Sequence, residues 1–231
     1  MWNQSPLSTA PRRRLYDTTA GLYTATFPWI WRLGFRRLHA WLADQLRSSS
    51  RILDAGTGPG YWARHLSRVN RDRCIVGLDF SRPYLDRART FIAGELRVRL
   101  VQADLLAAPF PTGAFDAILC SGVLDTLTDP LPALREFRRL LTSRGKLVLI
   151  LRGKGGVLSP AIDFLLRGSI FLFRLIKLRS LSAARISEQI WNRNPVWPGL
   201  DALAAASGLR TEHLDCGRVI TKAVMVPSRP E

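Results

Sequence analysis

The segment Arg51 to Leu66, RILDAGTGPGYWARHL, constrains the fold of this chain more than any other. A short apolar strand, Ile52-Leu53-Asp54, runs into a turn carrying Gly56, Gly58 and Gly60, and a helix follows from Tyr61. Glycines let the backbone reverse tightly and let another group approach it closely. The helix beyond them points its unsatisfied N–H groups at whatever lies over the turn. A second acidic residue at a predicted strand end, Asp79, stands 25 positions after Asp54. Together these features describe a nucleoside-containing ligand laid across the carboxyl edge of an α/β sheet.

The rest of the chain keeps the rhythm such a sheet requires. Strands are predicted at 51–55, 73–79, 96–104, 115–121 and 146–151, and helices at 61–69, 82–92 and 132–141, the last closed by a turn at Ser143-Arg144-Gly145. Alternation of this kind means βαβ units and a parallel sheet. Two final strands, 209–215 and 219–226, are joined by Cys216-Gly217-Arg218, and a return that short is antiparallel. The expected fold is a doubly wound, mostly parallel seven-stranded sheet with an antiparallel C-terminal hairpin. Residues 1–11 read as a flexible tail and 12–231 as a single domain. Within it, 12–47 form an N-terminal helical cap, 48–151 the core, 152–197 a helical insertion acting as a lid, and 198–231 a C-terminal helix and hairpin.

Composition narrows the function classes. With 47% hydrophobic and 23% charged residues, the chain has no signature of disorder. The net charge of +16 rests on 30 Arg and 4 Lys, spread evenly from end to end, whereas a nucleic-acid footprint is a patch or stripe. DNA is therefore not an expected partner. An anionic membrane surface is compatible with the charge, and so is a plain bias toward arginine. Cys74, Cys120 and Cys216 lie far apart and are read as buried thiols of a reducing compartment. His39, His65 and His213 lack metal-ligand spacing, so no metal is expected. The N-terminus lacks the order of a signal peptide and no 18-residue uncharged apolar run exists. The expectation is a cytoplasmic protein, with peripheral attachment at the inner membrane face as an alternative.

Four motifs then fall in order at predicted strand ends. Ile52-Leu53-Asp54-Ala55-Gly56-Thr57-Gly58-Pro59-Gly60 is followed by Gly77-Leu78-Asp79-Phe80-Ser81, by Gln102-Ala103-Asp104-Leu105, and by Phe115 through Leu124. In these motifs the chain resembles the class I S-adenosylmethionine-dependent methyltransferases, within them the small-molecule group of ubiquinone and menaquinone biosynthesis. The resemblance covers roughly residues 50–151 by motif. It implies S-adenosylmethionine as cofactor. The turn of Gly56, Gly58 and Gly60 behind Asp54 would hold its methionine part. Asp79 would accept both ribose hydroxyls with Phe80 beside it, Asp104 would take the adenine amino group with Leu105 near the ring, and Ser121 would end the fourth strand at the reaction centre. Tyr16-Asp17 and Tyr23 resemble the family's N-terminal helix that covers the cofactor; ordinary amphipathic packing is the alternative. A dinucleotide dehydrogenase needs a glycine where Tyr61 stands.

The family often carries histidine after the fourth strand; here the run is Val123-Leu124-Asp125-Thr126. Asp125 is a base, a cofactor anchor, or the start of a structural turn toward Asp129-Pro130. Trp62 and Trp191 read as packing, and His65 as structural. In PAIDFLLRGSIFLFRLIKLRSL, Asp163, Arg167, Arg174 and Lys177 share one narrow helix side and six apolar residues fill the other. That pattern suits either a lid for a lipophilic acceptor or simple packing on the core. The leading reading is methyl transfer to a small, apolar acceptor such as a quinone precursor, a lipid or a secondary metabolite. The alternatives are an RNA or protein methyltransferase using the arginine surplus, or a noncatalytic cofactor-binding or membrane-surface module. Against RNA base methylation, the site after the fourth strand reads Ser121-Gly122-Val123-Leu124 rather than Asn/Asp-Pro-Pro-Tyr/Phe.

Overall fold

The structure, a computed structural model, describes residue 17 and residues 36–153, 199–217 and 220–228. Seven strands form one sheet: β1 (Arg51–Ala55), β2 (Cys74–Asp79), β3 (Val98–Gln102), β4 (Phe115–Ser121), β5 (Leu141–Arg152), β6 (Leu209–Cys216) and β7 (Ile220–Pro227). Their order is β3-β2-β1-β4-β5-β7-β6. The pairs from β3 through β5 are parallel, and β7 runs antiparallel between β5 and β6. The predicted mostly parallel sheet and its antiparallel hairpin are both present.

The helices are α1 (Arg36–Gln45), α2 (Tyr61–Val69), α3 (Arg82–Phe91), α4 (Leu131–Leu140) and α5 (Leu200–Ala206). Each strand residue turns to the face opposite its neighbour's, and the central strands are apolar on both. Ile52, Ala117, Leu119, Val148 and Ile150 meet Leu42 of α1, Leu46 just beyond it, and Trp62 and Leu66 of α2. Leu53, Ile118, Cys120, Leu147 and Leu149 meet Leu134, Phe137 and Leu140 of α4 and Leu200 of α5. Two cores on one sheet are what a doubly wound fold requires.

Three expectations are corrected. The strand predicted from 146 begins at Leu141, directly after α4. Leu141 pairs with Phe115 and Lys146 with Ala117, so the residues read as a turn form an irregularity inside the strand, not a break before it. Of the three cysteines only Cys120 is buried. Cys74 opens β2 at its exposed start and Cys216 ends the outermost strand half-exposed, because a strand end at a sheet margin lacks a covering helix. The third strand is also shorter than predicted. Before it, Gly94 turns the chain with φ +89, and after it the Asp104 side chain starts a 3₁₀ turn.

Of the N-terminal cap, Asp17 and α1 are described, and both are helical. The tail, Tyr16, Tyr23, Trp191 and the lid insertion beyond Gly153 lie outside the described residues. No helix among the described residues is long and apolar enough to cross a membrane. No group of three or more His, Cys, Asp or Glu among them is arranged to hold a metal ion.

Candidate cofactor and acceptor site

The carboxyl ends of β1, β2, β3 and β4 bring the four motifs to one edge of the sheet. At the end of β1, Asp54 is buried and faces its own turn. Its Oδ2 accepts from the Thr57 hydroxyl at 2.6 Å and from the Ala63 amide at 3.1 Å. Ala63 lies in the first turn of α2, where an anion satisfies an orphan N–H and opposes the helix dipole. The Gly56 and Thr57 amides both donate to the Leu78 carbonyl, tying the turn to β2. Gly56, Gly58 and Gly60 have φ of +76, +53 and +81, the left-handed region that glycine tolerates. At Gly56 space also demands glycine, since a Cβ there would stand 2.3 Å from Val123 Cγ2.

At the end of β2, Asp79 receives the Gly58 amide on Oδ2 and the Ser81 amide on Oδ1, each at 2.9 Å. The Phe80 amide also bonds to this carboxylate, which joins the glycine turn to the start of α3 and keeps acceptor capacity for a ligand. The Ser81 hydroxyl donates to Asp17 Oδ1 at 2.6 Å. This contact brings the N-terminal Tyr-Asp motif to the second motif, 64 residues away in sequence. Neither Asp17 nor Ser81 stood among the candidate site residues. Both lay inside quoted motifs, which was the signal that pointed to them.

At the end of β3, Asp104 Oδ1 accepts from the Leu106 amide at 2.9 Å and starts the 3₁₀ turn that buries Leu105. Phe80 is half-buried, and its carbonyl accepts from Gln102 Nε2 at 3.2 Å, so the second and third motifs are fastened together. At the end of β4, Ser121 Oγ accepts from Trp62 Nε1 at 3.1 Å. Trp62 packs in the core as expected and also holds this predicted site residue. Asp125 is 3% exposed, in the one-turn helix Leu124–Thr126 just beyond β4. The structure therefore gathers every described candidate at the strand ends.

Burial sets the electrostatics here. It pushes the Asp54 carboxyl up to about 7, against the hydrogen bonds from Thr57 and Ala63 and with help from the charge of Asp79. It pushes Asp79 up to about 6, against the amides of Ser81 and Gly58 and with help from Asp17. A chain of net charge +16 thus concentrates Asp17, Asp54, Asp79, Asp104 and Asp125 at one sheet edge. Such an edge favours a ligand that carries positive charge and hydroxyl donors.

Residues 53–149 match the family described as methyltransferase domain. Over these residues the chain is similar to a methyltransferase domain. Among similar proteins, the demethylmenaquinone methyltransferase of Thermus thermophilus is 40% identical over 105 residues, covering 45% of this chain and 48% of the relative. That of Clavibacter sepedonicus is 28% identical over 195 residues, covering 82% and 74%. The malonyl-[acyl-carrier protein] O-methyltransferase of Legionella pneumophila is 34% identical over 103 residues, covering 45% and 36%. The chain spans about half the length or less of several curated relatives it matches. Among solved structures, a SAM-dependent methyltransferase from Aquifex aeolicus superposes with a TM-score of 0.56 at 17% identity over 77% of this chain and 82% of its own. The DhpI–SAH complex superposes with a TM-score of 0.64 at 18% identity over 95% and 97%. At such identities these structures speak for the fold.

S-adenosylmethionine is the cofactor that such a domain implies, and the methyltransferase core fits it. The cofactor carries a sulfonium and an ammonium, which suit an acidic edge, and ribose hydroxyls, which suit the acceptor capacity of Asp79. Its carboxylate suits the start of α2, where a helix N-terminus favours an anion; the amides of Gly56, Thr57, Gly58 and Gly60 are given to Leu78, Asp79 and Thr57 and shape the turn.

Proposed function

We propose that this protein transfers a methyl group from S-adenosylmethionine to a small lipophilic acceptor, of which a quinone precursor is the leading example. The observation that carries the reading is the buried Asp79 carboxylate, held by backbone amides between the glycine turn and α3 at the carboxyl edge of the sheet. In this reading Asp79 binds the ribose hydroxyls and Asp104 the adenine amino group, with Phe80 and Leu105 beside the ring. Gly56, Gly58 and Gly60 hold the methionine part. Asp54 acts one step back, fixing the turn through Thr57 and Ala63. Ser121 and Asp125 border the reaction centre, and Tyr16 with Asp17 covers the cofactor. The cofactor supplies an activated methyl group. The protein aligns the acceptor and excludes water, and alignment alone is worth up to about 7–11 kcal/mol in favourable cases.

The acceptor class draws support from the demethylmenaquinone methyltransferases among the similar proteins, and a carboxyl acceptor from the malonyl-[acyl-carrier protein] enzyme. A cytoplasmic protein that touches the inner membrane face to collect such an acceptor belongs to the same proposal. The test incubates the full chain with methyl-labelled S-adenosylmethionine and chemically reduced demethylmenaquinone. Label extracted into organic solvent is the expected result. Label on added RNA, with none in the solvent, would replace this reading with an RNA methyltransferase.

A further inference from the structure

Above the gap between β1 and β4 the sheet reverses its winding: β2 and β3 continue to one side of β1, β4 and β5 to the other. Ligands of open α/β sheets bind outside the strand ends at such a switch point. Tyr61 stands there as the first residue of α2, directly after Gly60. The next residue, Trp62, reaches across to Ser121 at the end of β4, so the start of α2 bridges the gap. From α1, His39 Nε2 lies 2.8 Å from the Tyr61 hydroxyl, and both side chains are half-buried. The methyl-transfer reading of the site leaves this pair unused, and the only base the sequence offers is Asp125, for which a base is one of three readings.

We propose that Tyr61 and His39 form the proton-accepting pair of the reaction, Tyr61 receiving the proton of an acidic hydroxyl on an aromatic acceptor and His39 taking the phenolic proton in turn. The inference rests on the methyl-transfer reading. The acceptor's O–H bond breaks as the Tyr61 oxygen takes its proton, and the Tyr61 proton passes to His39 Nε2. The electron pair left on the acceptor forms the new bond to the methyl carbon, while the pair of the old carbon–sulfur bond stays on sulfur. The imidazolium then returns its proton to water. Charge and atoms balance without an oxidant or reductant. A phenol suits the first position because it both accepts and donates, and a neutral imidazole suits the second because it keeps a lone pair.

The surroundings keep that imidazole neutral. Desolvation holds His39 below its ordinary value. The groups facing it come from α2: the Tyr61 hydroxyl, the Trp62 ring at 5.1 Å and the His65 ring at 4.7 Å, itself lowered by burial, by His39 and by Arg73. No carboxylate faces the ring among the described residues to trap the proton there. A pair that merely ties α1 to α2 would affect stability and leave the ionisation of a bound phenol alone.

The experiment uses the full chain saturated with S-adenosylhomocysteine, with 4-nitrophenol as the acceptor probe and phenolate absorbance followed against pH. Tyr61→Phe and His39→Gln are compared with the parent, and calorimetric affinity for S-adenosylhomocysteine, unchanged within threefold, serves as the control of folding. In the parent, the bound probe is expected to ionise at least one pH unit below the free probe, and in both variants to return toward the free value. Initial rates on reduced naphthoquinone should fall by roughly 10²-fold or more in Tyr61→Phe, the scale of general acid–base catalysis. Identical probe titrations in parent and variants would overturn the proposal. So would a parent that binds S-adenosylhomocysteine and no phenol. Failure to bind S-adenosylhomocysteine at all would instead overturn the methyl-transfer reading. Should Tyr61→Phe fail the folding control, the comparison of parent with His39→Gln decides.

Discussion

Gly56 carries two separate demands, and they can be measured apart. Its φ of +76 costs a side chain roughly 1–2 kcal/mol on handedness alone. Its absent Cβ also leaves room for Val123 Cγ2, which would otherwise stand 2.3 Å away. Gly113 has a similar φ of +70 with nothing within 4 Å of a built Cβ. Denaturant unfolding should therefore show Gly113→Ala losing about 1–2 kcal/mol and Gly56→Ala losing clearly more. Val123→Ala should recover part of the Gly56→Ala loss. Equal losses at the two glycines would mean that Val123 makes room freely. At this scale the site was legible wherever a residue closes a strand, because Asp54, Asp79 and Asp104 each follow an apolar run. The Asp17–Ser81 and Tyr61–His39 contacts were not legible as contacts. Each joins residues of separate elements across a fold that sequence spacing does not measure.

Among elements, α4 shows how packing holds a helix too short to be stable alone. LPALREFRRL carries Ala133, Leu134, Phe137 and Leu140 on one buried face, with arginines opposite. Its last residue leads straight into β5, so the helix and the strand share one core. Phe137 is 1% exposed, and Phe137→Ala should cost about 3–5 kcal/mol in urea unfolding. A loss under about 1 kcal/mol would mean that α4 contributes little to that core. The boundaries of β1, α2 and β4 were readable to the residue, because alternating or continuous apolar runs meet glycine or charged residues at both ends. The start of β5 was not. Ser143, Arg144 and Gly145 have turn chemistry, and only the partner strand Phe115–Ser121 makes them part of a bulged strand.

For the whole molecule, pH stability sets two groups of residues against each other. His65 is pulled down to about 4, chiefly by desolvation. Its unfolded form takes up a proton first as pH falls, so its contribution is present above the ordinary histidine range and is lost toward pH 4. Asp54 and Asp79 are raised to about 7 and about 6, so their contribution is present below the ordinary carboxylate range and is lost as pH rises through those values. Between pH 4 and 7 the two trends oppose. In His65→Gln only the carboxylate trend remains, and stability by urea unfolding should fall from pH 5 to pH 7 more steeply than in the parent. Parallel pH curves for parent and variant would mean that the unfolded chain holds His65 as the folded one does.

In the proposed function, a chain of strong positive charge folds an acidic sheet edge around a cationic, ribose-bearing cofactor, with Asp79 at its centre. Calorimetric titration of S-adenosylmethionine at pH 7.5 into the parent chain and into Asp79→Ala, with NAD as the control ligand, tests it most directly. Saturable binding of S-adenosylmethionine by the parent, none of NAD, and at least tenfold weaker binding by Asp79→Ala, about 1.4 kcal/mol or more, are expected. Equal affinity of parent and variant for S-adenosylmethionine would contradict it.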